Sequence, residues 1–220
     1  MIWAEDQPAR AVAYCRKALQ NSEQVGAGDP RNVEYRYHAS RAYLWMGEAL
    51  RKLRNYREAV ASFRRAVELQ NSIAATSPQR IWNLRVLSRT YVLLGAAQLD
   101  GGDPNAALVS LRQGLDVADR MLQRAPSSLY HQLDRADVLE AMGKYYGSLA
   151  RGANVGTVQR AELRRQARSC FEESFAIWRS WTKRNLASVY AARRESNAAL
   201  AIASIKAVRE ITILETRPTK

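Results

Sequence analysis

The chain is poor in the residues that usually carry chemistry. Its 220 residues include two histidines, His38 and His131, and two cysteines, Cys15 and Cys170. The cysteines lie far apart and form no CxxC, which excludes a disulfide scaffold and a zinc knuckle. Each reads as a small buried hydrophobe. No stretch approaches the roughly 18–20 apolar residues that a spanning helix needs. No segment alternates at period two, so no strands are expected. The N-terminal MIWAEDQPAR carries acids where a secretory signal would have a basic and then an apolar stretch. Lysine is scarce: Lys17, Lys52, Lys144, Lys183, Lys206 and Lys220 are the only six of 34 basic residues, leaving 28 arginines. Acids number 21, so the net charge is +13. Such a chain invites anionic partners: nucleic acid, anionic lipid or an acidic protein. Arginine is also a good helix former whose stem covers apolar surface, so the excess equally suits solvated helix faces. A hydrophobic share of 47% with 25% charged residues fits a globular domain, neither a disordered tail nor a membrane protein.

What the chain does have is a period. Gly47, Gly95 and Gly143 are spaced by 48 residues, and so are Pro30, Pro78 and Pro126, and Ala11, Ala59 and Ala107. Three residue classes on one step make an internal repeat. The prolines mark expected helix starts, where their missing N–H costs nothing, and Asp29 and Ser77 precede two of them as expected N-caps. The glycines fall inside helices, where Gly costs about 1 kcal/mol relative to Ala. Close approach of a neighbouring helix would justify that cost. Ala59, Phe63 and Ala66 share one helix face, small–large–small, as a tightly packed partner requires.

The expected map is all-α, with an orphan helix over 6–24 and then pairs: 30–53 with 56–75, 78–99 with 104–124, and 127–150 with 158–183. A capping helix covers 187–214. In domain terms this is one array over 1–220, with repeats at 30–75, 78–124 and 127–183. The third repeat departs from the step: its triplet Ala167, Phe171 and Ser174 falls twelve residues late, after an insertion within RGANVGTVQRAEL.

At these residues the sequence resembles the tetratricopeptide repeat family. The first unit gives Tyr43, Met46-Gly47 and Leu50, then Ala59, Phe63 and Ala66. The second gives Tyr91, Leu94-Gly95 and Gln98, then Ala107, Leu111 and Gly114. The third gives Leu139, Met142-Gly143 and Tyr146, then the displaced triplet. The orphan helix supplies Ala11, Cys15 and Ala18, like the second half of a unit without its first. The usual unit is 34 residues, so these helices should be longer. Long repeats of this kind look like those in C-terminal regions of some large bacterial serine/threonine kinases. The resemblance implies a right-handed α-solenoid of about eight helices, with a concave face that binds a peptide or protein. A solenoid needs polar caps, so the half-unit suggests that residue 1 is not the natural start. It also offers an apolar edge through which a homo-oligomer could form.

A catalytic constellation is not expected, nor a cofactor or metal site. His38 and His131 stand nine and twelve residues before their glycines, so they are not equivalent. The glycine-rich GAGDPRN and GGDPN lack the GxxxxGK[ST] pattern that cradles phosphate. No HRD or DFG motif appears. Asp137 and Glu140 share a helix face, but a metal would want more ligands there.

In the family the first helix of each pair lines the groove. That places Arg41, Leu44, Glu48, Arg51 and Lys52 in the first unit; Arg89, Val92, Ala96 and Leu99 in the second; and Asp137, Glu140 and Lys144 in the third. The surface would run from basic through apolar to acidic, a gradient that could orient an extended peptide. The positions of the family's Lys–Asn carboxylate clamp hold Leu44 and Glu48, so that clamp is absent. A second candidate is an anion patch of Arg160, Arg164, Arg165 and Arg168 on one helix face, without the interleaved aromatics that stack bases. Either set could equally be a solvated face. The reading is therefore a non-catalytic interaction or scaffold domain for a protein or peptide. Its alternatives are the regulatory region of a larger kinase and a basic nucleic-acid-binding repeat.

Overall fold

A computed structural model describes residues 7–29, 32–76, 81–183 and 189–215. Among the described residues there are eight helices and no strand: α1 Pro8–Gly28, α2 Val33–Lys52, α3 Tyr56–Thr76, α4 Ile81–Asp100, α5 Pro104–Arg124, α6 Leu129–Ala150, α7 Thr157–Lys183 and α8 Val189–Glu215. Each first helix starts on the expected step, at Val33, Ile81 and Leu129. The chain forms two compact units, Met1–Pro126 and Ser127–Lys220. In the first, α1 packs on α2, α2 on α3, α3 on α4 and α4 on α5, and α2 also meets α4. In the second, α6 packs on α7 and α7 on α8.

Two of the expected helix starts are corrected. Asp29 follows α1, and the N-cap of α2 is Asn32, its Oδ1 accepting from the backbone N–H of Glu34 at 2.9 Å and of Tyr35 at 3.2 Å. A cap must sit two or three residues ahead of the N–H groups it satisfies, and Asp29 is too far upstream. Pro126 stands three residues ahead of Leu129 rather than at the first helical position. Pro30, Ser77 and Pro78 lie outside the described residues. Asp103 and Pro104 behave as expected, with Pro104 opening α5 and Asp103 Oδ1 accepting from Ala106 N at 2.9 Å.

Three-residue turns join α2 to α3 and α4 to α5, and both close in the same way. Arg54 and Gly102, 48 residues apart, adopt left-handed backbone with φ of 58° and 85°. Asn55 N donates back to Leu50 O and Asp103 N to Gln98 O, both at 2.9 Å. This pairing of an αL residue with a 6→1 bond satisfies the last carbonyls of the helix.

The mid-helix glycines are the contact points of each hairpin. A Cβ on Gly47 would lie 2.8 Å from the Phe63 ring, one on Gly95 2.9 Å from Leu111 Cγ, and one on Gly143 2.8 Å from the Phe171 ring. Ala59, Ala66, Ala107 and Ala167 are fully buried around these contacts. A hydroxyl bond ties the helices further along. In the first unit Ser88 donates to Gly114 O at 2.9 Å. In the second, at the equivalent place with the roles reversed, Ser174 donates to Ala136 O at 3.2 Å.

The twelve late residues of the third repeat divide three ways. Relative to the other pairs, α6 runs two residues further, to Ala150, and the turn 151–156 is three residues longer. Helix α7 begins ten residues before Ala167, where α3 and α5 begin three before Ala59 and Ala107, a gain of seven or about two turns. The apolar edge expected on α1 is only partly present. Ala11 and Cys15 are buried with Val12 and Leu19, whereas Ala18, spaced from them as Ala66 is from Ala59 and Phe63, is exposed.

The glycine contacts make a direct test. Gly47→Ala should destabilise the protein by roughly 1–3 kcal/mol, because the Phe63 ring must move within a packed core. Gly147→Ala should instead stabilise it by up to about 1 kcal/mol, since the nearest atom to its Cβ is Arg151 Nη1 at 3.7 Å. Urea unfolding of the two variants should therefore shift in opposite directions.

Candidate functional site

The first-helix face of the first unit is built on α2 and α4. Tyr37, Arg41 and Trp45 stand one turn apart along α2. The Arg41 guanidinium lies 4.6 Å from the Trp45 ring centroid and 5.5 Å from that of Tyr37. On α4 the Arg85 guanidinium lies 5.3 Å from the exposed Trp82 ring. Two ion pairs cross between the helices. Arg51 Nε meets Asp100 Oδ2 at 2.7 Å, and Arg89, its side chain 70% exposed, stands 3.6 Å from Glu48 Oε1. Lys52 is exposed; Val92, Ala96 and Leu99 are half-buried. Leu44 is corrected: it is 8% exposed and belongs to the core rather than to an open surface.

The three candidates of the second unit do not form an open acidic face. Glu140 is buried; its Oε1 accepts from Trp178 Nε1 at 3.0 Å and from the Ser174 hydroxyl at 3.4 Å. Arg194 of α8 covers it: Arg194 Nε stands 3.3 Å from Glu140 Oε1, its other end pairs with Asp137, and its guanidinium lies 5.3 Å from the Trp178 centroid. Glu140 is therefore corrected from groove residue to the centre of a buried network that docks α8. A buried carboxylate needs such partners, since an unpaired charge in the interior is costly. Trp178 is fully buried beneath it, and Lys144 is exposed.

The anion patch is largely spoken for as well. Arg160 donates to the carbonyls of Gly152 and Val155, at 3.2 and 2.9 Å, closing the long turn before α7. Arg165 pairs with Glu162, and Arg168 meets Glu172 at 2.7 Å. Arg164 is half-buried. The four do not converge as free donors on one anion.

The titratable groups that might have been nucleophiles are withdrawn. Both cysteines are free and buried. Burial, reinforced by the nearby Glu173 carboxylate, pushes the Cys170 thiol up to about 11, and burial alone pushes the Cys15 thiol up. His131 is buried, and exposed His38 lies 3.8 Å from Glu34 on its own helix. Among the described residues no three His, Cys, Asp or Glu side chains group as a metal site, and no helix is long and apolar enough to cross a membrane.

Residues 40–73 match the tetratricopeptide repeat family model. The match runs from Ser40 in α2 to Ile73 in α3, and so contains the Gly47–Phe63 contact. Tetratricopeptide repeats generally mediate protein–protein interaction or scaffolding, and their fold is typically non-catalytic. No curated protein matches the chain. Among solved structures, the chain is similar to a de novo designed helical repeat protein at 14% identity, over 93% of this chain and all of that one, with a TM-score of 0.38. It is similar to a thermophilic tetratricopeptide repeat protein of Thermus thermophilus at 18% identity, over 84% and 99%, with a TM-score of 0.35. BtubC from P. vanneervenii aligns at 12% identity over 97% and 95%, with a TM-score of 0.30.

Sequence reading missed Tyr37, Trp45, Asp100 and Arg194, which act on the candidate residues. The first two were legible as Y-x3-R-x3-W, a spacing that places two rings on either side of one arginine along a helix. Asp100 and Arg194 had no such local signal, since each meets its partner from another helix.

Two measurements check this arrangement. Glu140→Ala should cost roughly 3–5 kcal/mol, because it strips Trp178 and Ser174 of their shared acceptor and Arg194 of one of its ion-pair partners; tryptophan fluorescence in a urea titration reads the loss. The folded chain keeps the Cys170 proton beyond the pH at which an unfolded thiol releases it. The stability this provides should be complete below the ordinary thiol range, near 8.5, and fall as pH rises through about 11. Labelling by a thiol reagent at pH 8 should accordingly be slow in buffer and fast in urea.

Proposed function

We propose that the chain is a non-catalytic interaction or scaffold region that binds a peptide or partner protein on the face built by α2 and α4. The observation that supports this reading is the preformed state of that face. Two first helices are cross-linked by Arg51–Asp100 and Glu48–Arg89, and aromatic and basic side chains alternate along α2. A rigid face loses little entropy when a partner docks, which favours affinity. The residues that match the repeat pattern, Gly47, Phe63 and their counterparts, are consumed in packing and leave this surface to be specified independently.

Nucleic acid binding is the weaker reading of the +13 charge. Arg51, Arg65, Arg89, Arg120, Arg165 and Arg168 each meet a carboxylate, so these six cations are engaged within the protein, although pairing leaves the net charge itself unchanged.

The test is capture of partners from lysate with the native chain and with the double variant Arg41→Glu, Lys52→Glu. The variant should lose the partners that the native chain retains. An unchanged partner set would reject the face. A duplex oligonucleotide titrated between about 50 and 200 mM salt should show none of the steep, salt-dependent affinity of a phosphate binder.

A further inference from the structure

Arg41 differs from its neighbours on the α2–α4 face. Arg51 and Arg89 each meet a carboxylate. Arg41 meets only rings, Trp45 at 4.6 Å and Tyr37 at 5.5 Å from their centroids. It is half-buried, yet none of its nitrogens is a buried atom without a partner, so its donors reach solvent. A guanidinium has two faces and an edge. Its faces suit aromatic rings, and its five N–H donors lie in the plane and point out through the edge. Rings that restrict water around the cation leave the edge as the direction for an anion, and they strengthen that contact by lowering the local dielectric. A carboxylate fits such an edge with two parallel hydrogen bonds. The surrounding charge has the matching sign: Arg36, Arg41, Arg51, Lys52, Arg85 and Arg89 stand on these two helices against Glu34, Glu48 and Asp100, and the last two are already paired with arginines.

We propose that Arg41, held between Tyr37 and Trp45, is the anchor for an aspartate or glutamate side chain of an extended acidic peptide. The proposal rests on the reading of the α2–α4 face given above and names the chemistry of its partner. Tyr37 and Trp45 are positioning residues that keep the guanidinium edge outward. Arg89 is the second contact, because its 3.6 Å pairing with Glu48 is loose and its side chain is 70% exposed. A peptide carboxylate can replace Glu48 there. Single-stranded nucleic acid is disfavoured because Tyr37, Trp45 and Trp82 each already give a ring face to an arginine, and bases would need those faces for stacking.

The experiment measures anisotropy of a labelled peptide of alternating Glu and Gly, and of the same peptide with Gln for Glu, on the full chain. The native protein should bind the Glu peptide at least about tenfold more tightly than the Gln peptide, as charge-assisted over neutral hydrogen bonds requires. Arg41→Lys keeps the charge but loses the fork. It should weaken the Glu peptide about tenfold while leaving the Gln peptide and the thermal melt unchanged. Trp45→Leu should weaken the Glu peptide less. Arg168→Lys, on α7, serves as the control and should change nothing.

Equal affinity for the two peptides, or no binding of either, overturns the carboxylate anchor while an Arg41-dependent partner capture keeps the face. A Glu peptide indifferent to Arg41→Lys but weakened by Arg168→Lys overturns both. A single-stranded oligonucleotide that binds more tightly than the peptide, and depends on Arg41, overturns the proposal in favour of phosphate.

Discussion

The hairpins α2–α3, α4–α5 and α6–α7 each depend on the absence of one carbon atom. Gly47, Gly95 and Gly143 let the side chains of Phe63, Leu111 and Phe171 sit where a Cβ would have to be. That approach sets the distance between the two helices of each pair. The small residues around it follow as a consequence: Ala59, Ala66, Ala107 and Ala167 are fully buried because nothing larger fits beside the ring. The hydroxyl bonds of Ser88 and Ser174 also need this closeness. Each reaches a backbone carbonyl on the opposite helix, which a wider spacing would put out of range.

Charge is organised as tightly as volume. Arginines close the turn before α7, cross-link α2 to α4, and hold α8 over a buried glutamate. Part of a strongly basic composition has thus become internal structure. On the α2–α4 face the ring-held Arg41 is the cation that remains for a partner.

The fold was legible because glycine and alanine at these positions answer to hard steric limits. One sequence alone therefore yields the period, the pairing and the all-α class. The start of α2 was misjudged because capping turns on which polar side chain reaches the free N–H groups of the first turn, and that side chain is Asn32. The candidate surface was less legible. Leu44, Val92 and Glu140 occupy one register position, two steps of 48 end to end, and the outer two are buried while Val92 is half-covered. A groove drawn from a 34-residue repeat takes that position as outward. In these longer helices the outward line on α2 runs through Tyr37, Arg41 and Trp45. Glu140 was the hardest to read, because its partners Trp178 and Arg194 lie 38 and 54 residues away.

The three-residue turns of the first unit also bear on how the chain becomes folded. A turn that short lets the Ser110 hydroxyl donate to Gln98 Oε1 across a loop of only a dozen residues, and closing such a loop costs little entropy. Each hairpin can therefore assemble from neighbouring sequence before any other is complete, and topologies of this kind fold quickly. Loss of one hairpin need not unravel the rest, since each unit stands chiefly on its nearest neighbours. The left-handed residues Arg54 and Gly102, which look like details of the surface, sit at the points where that local assembly begins.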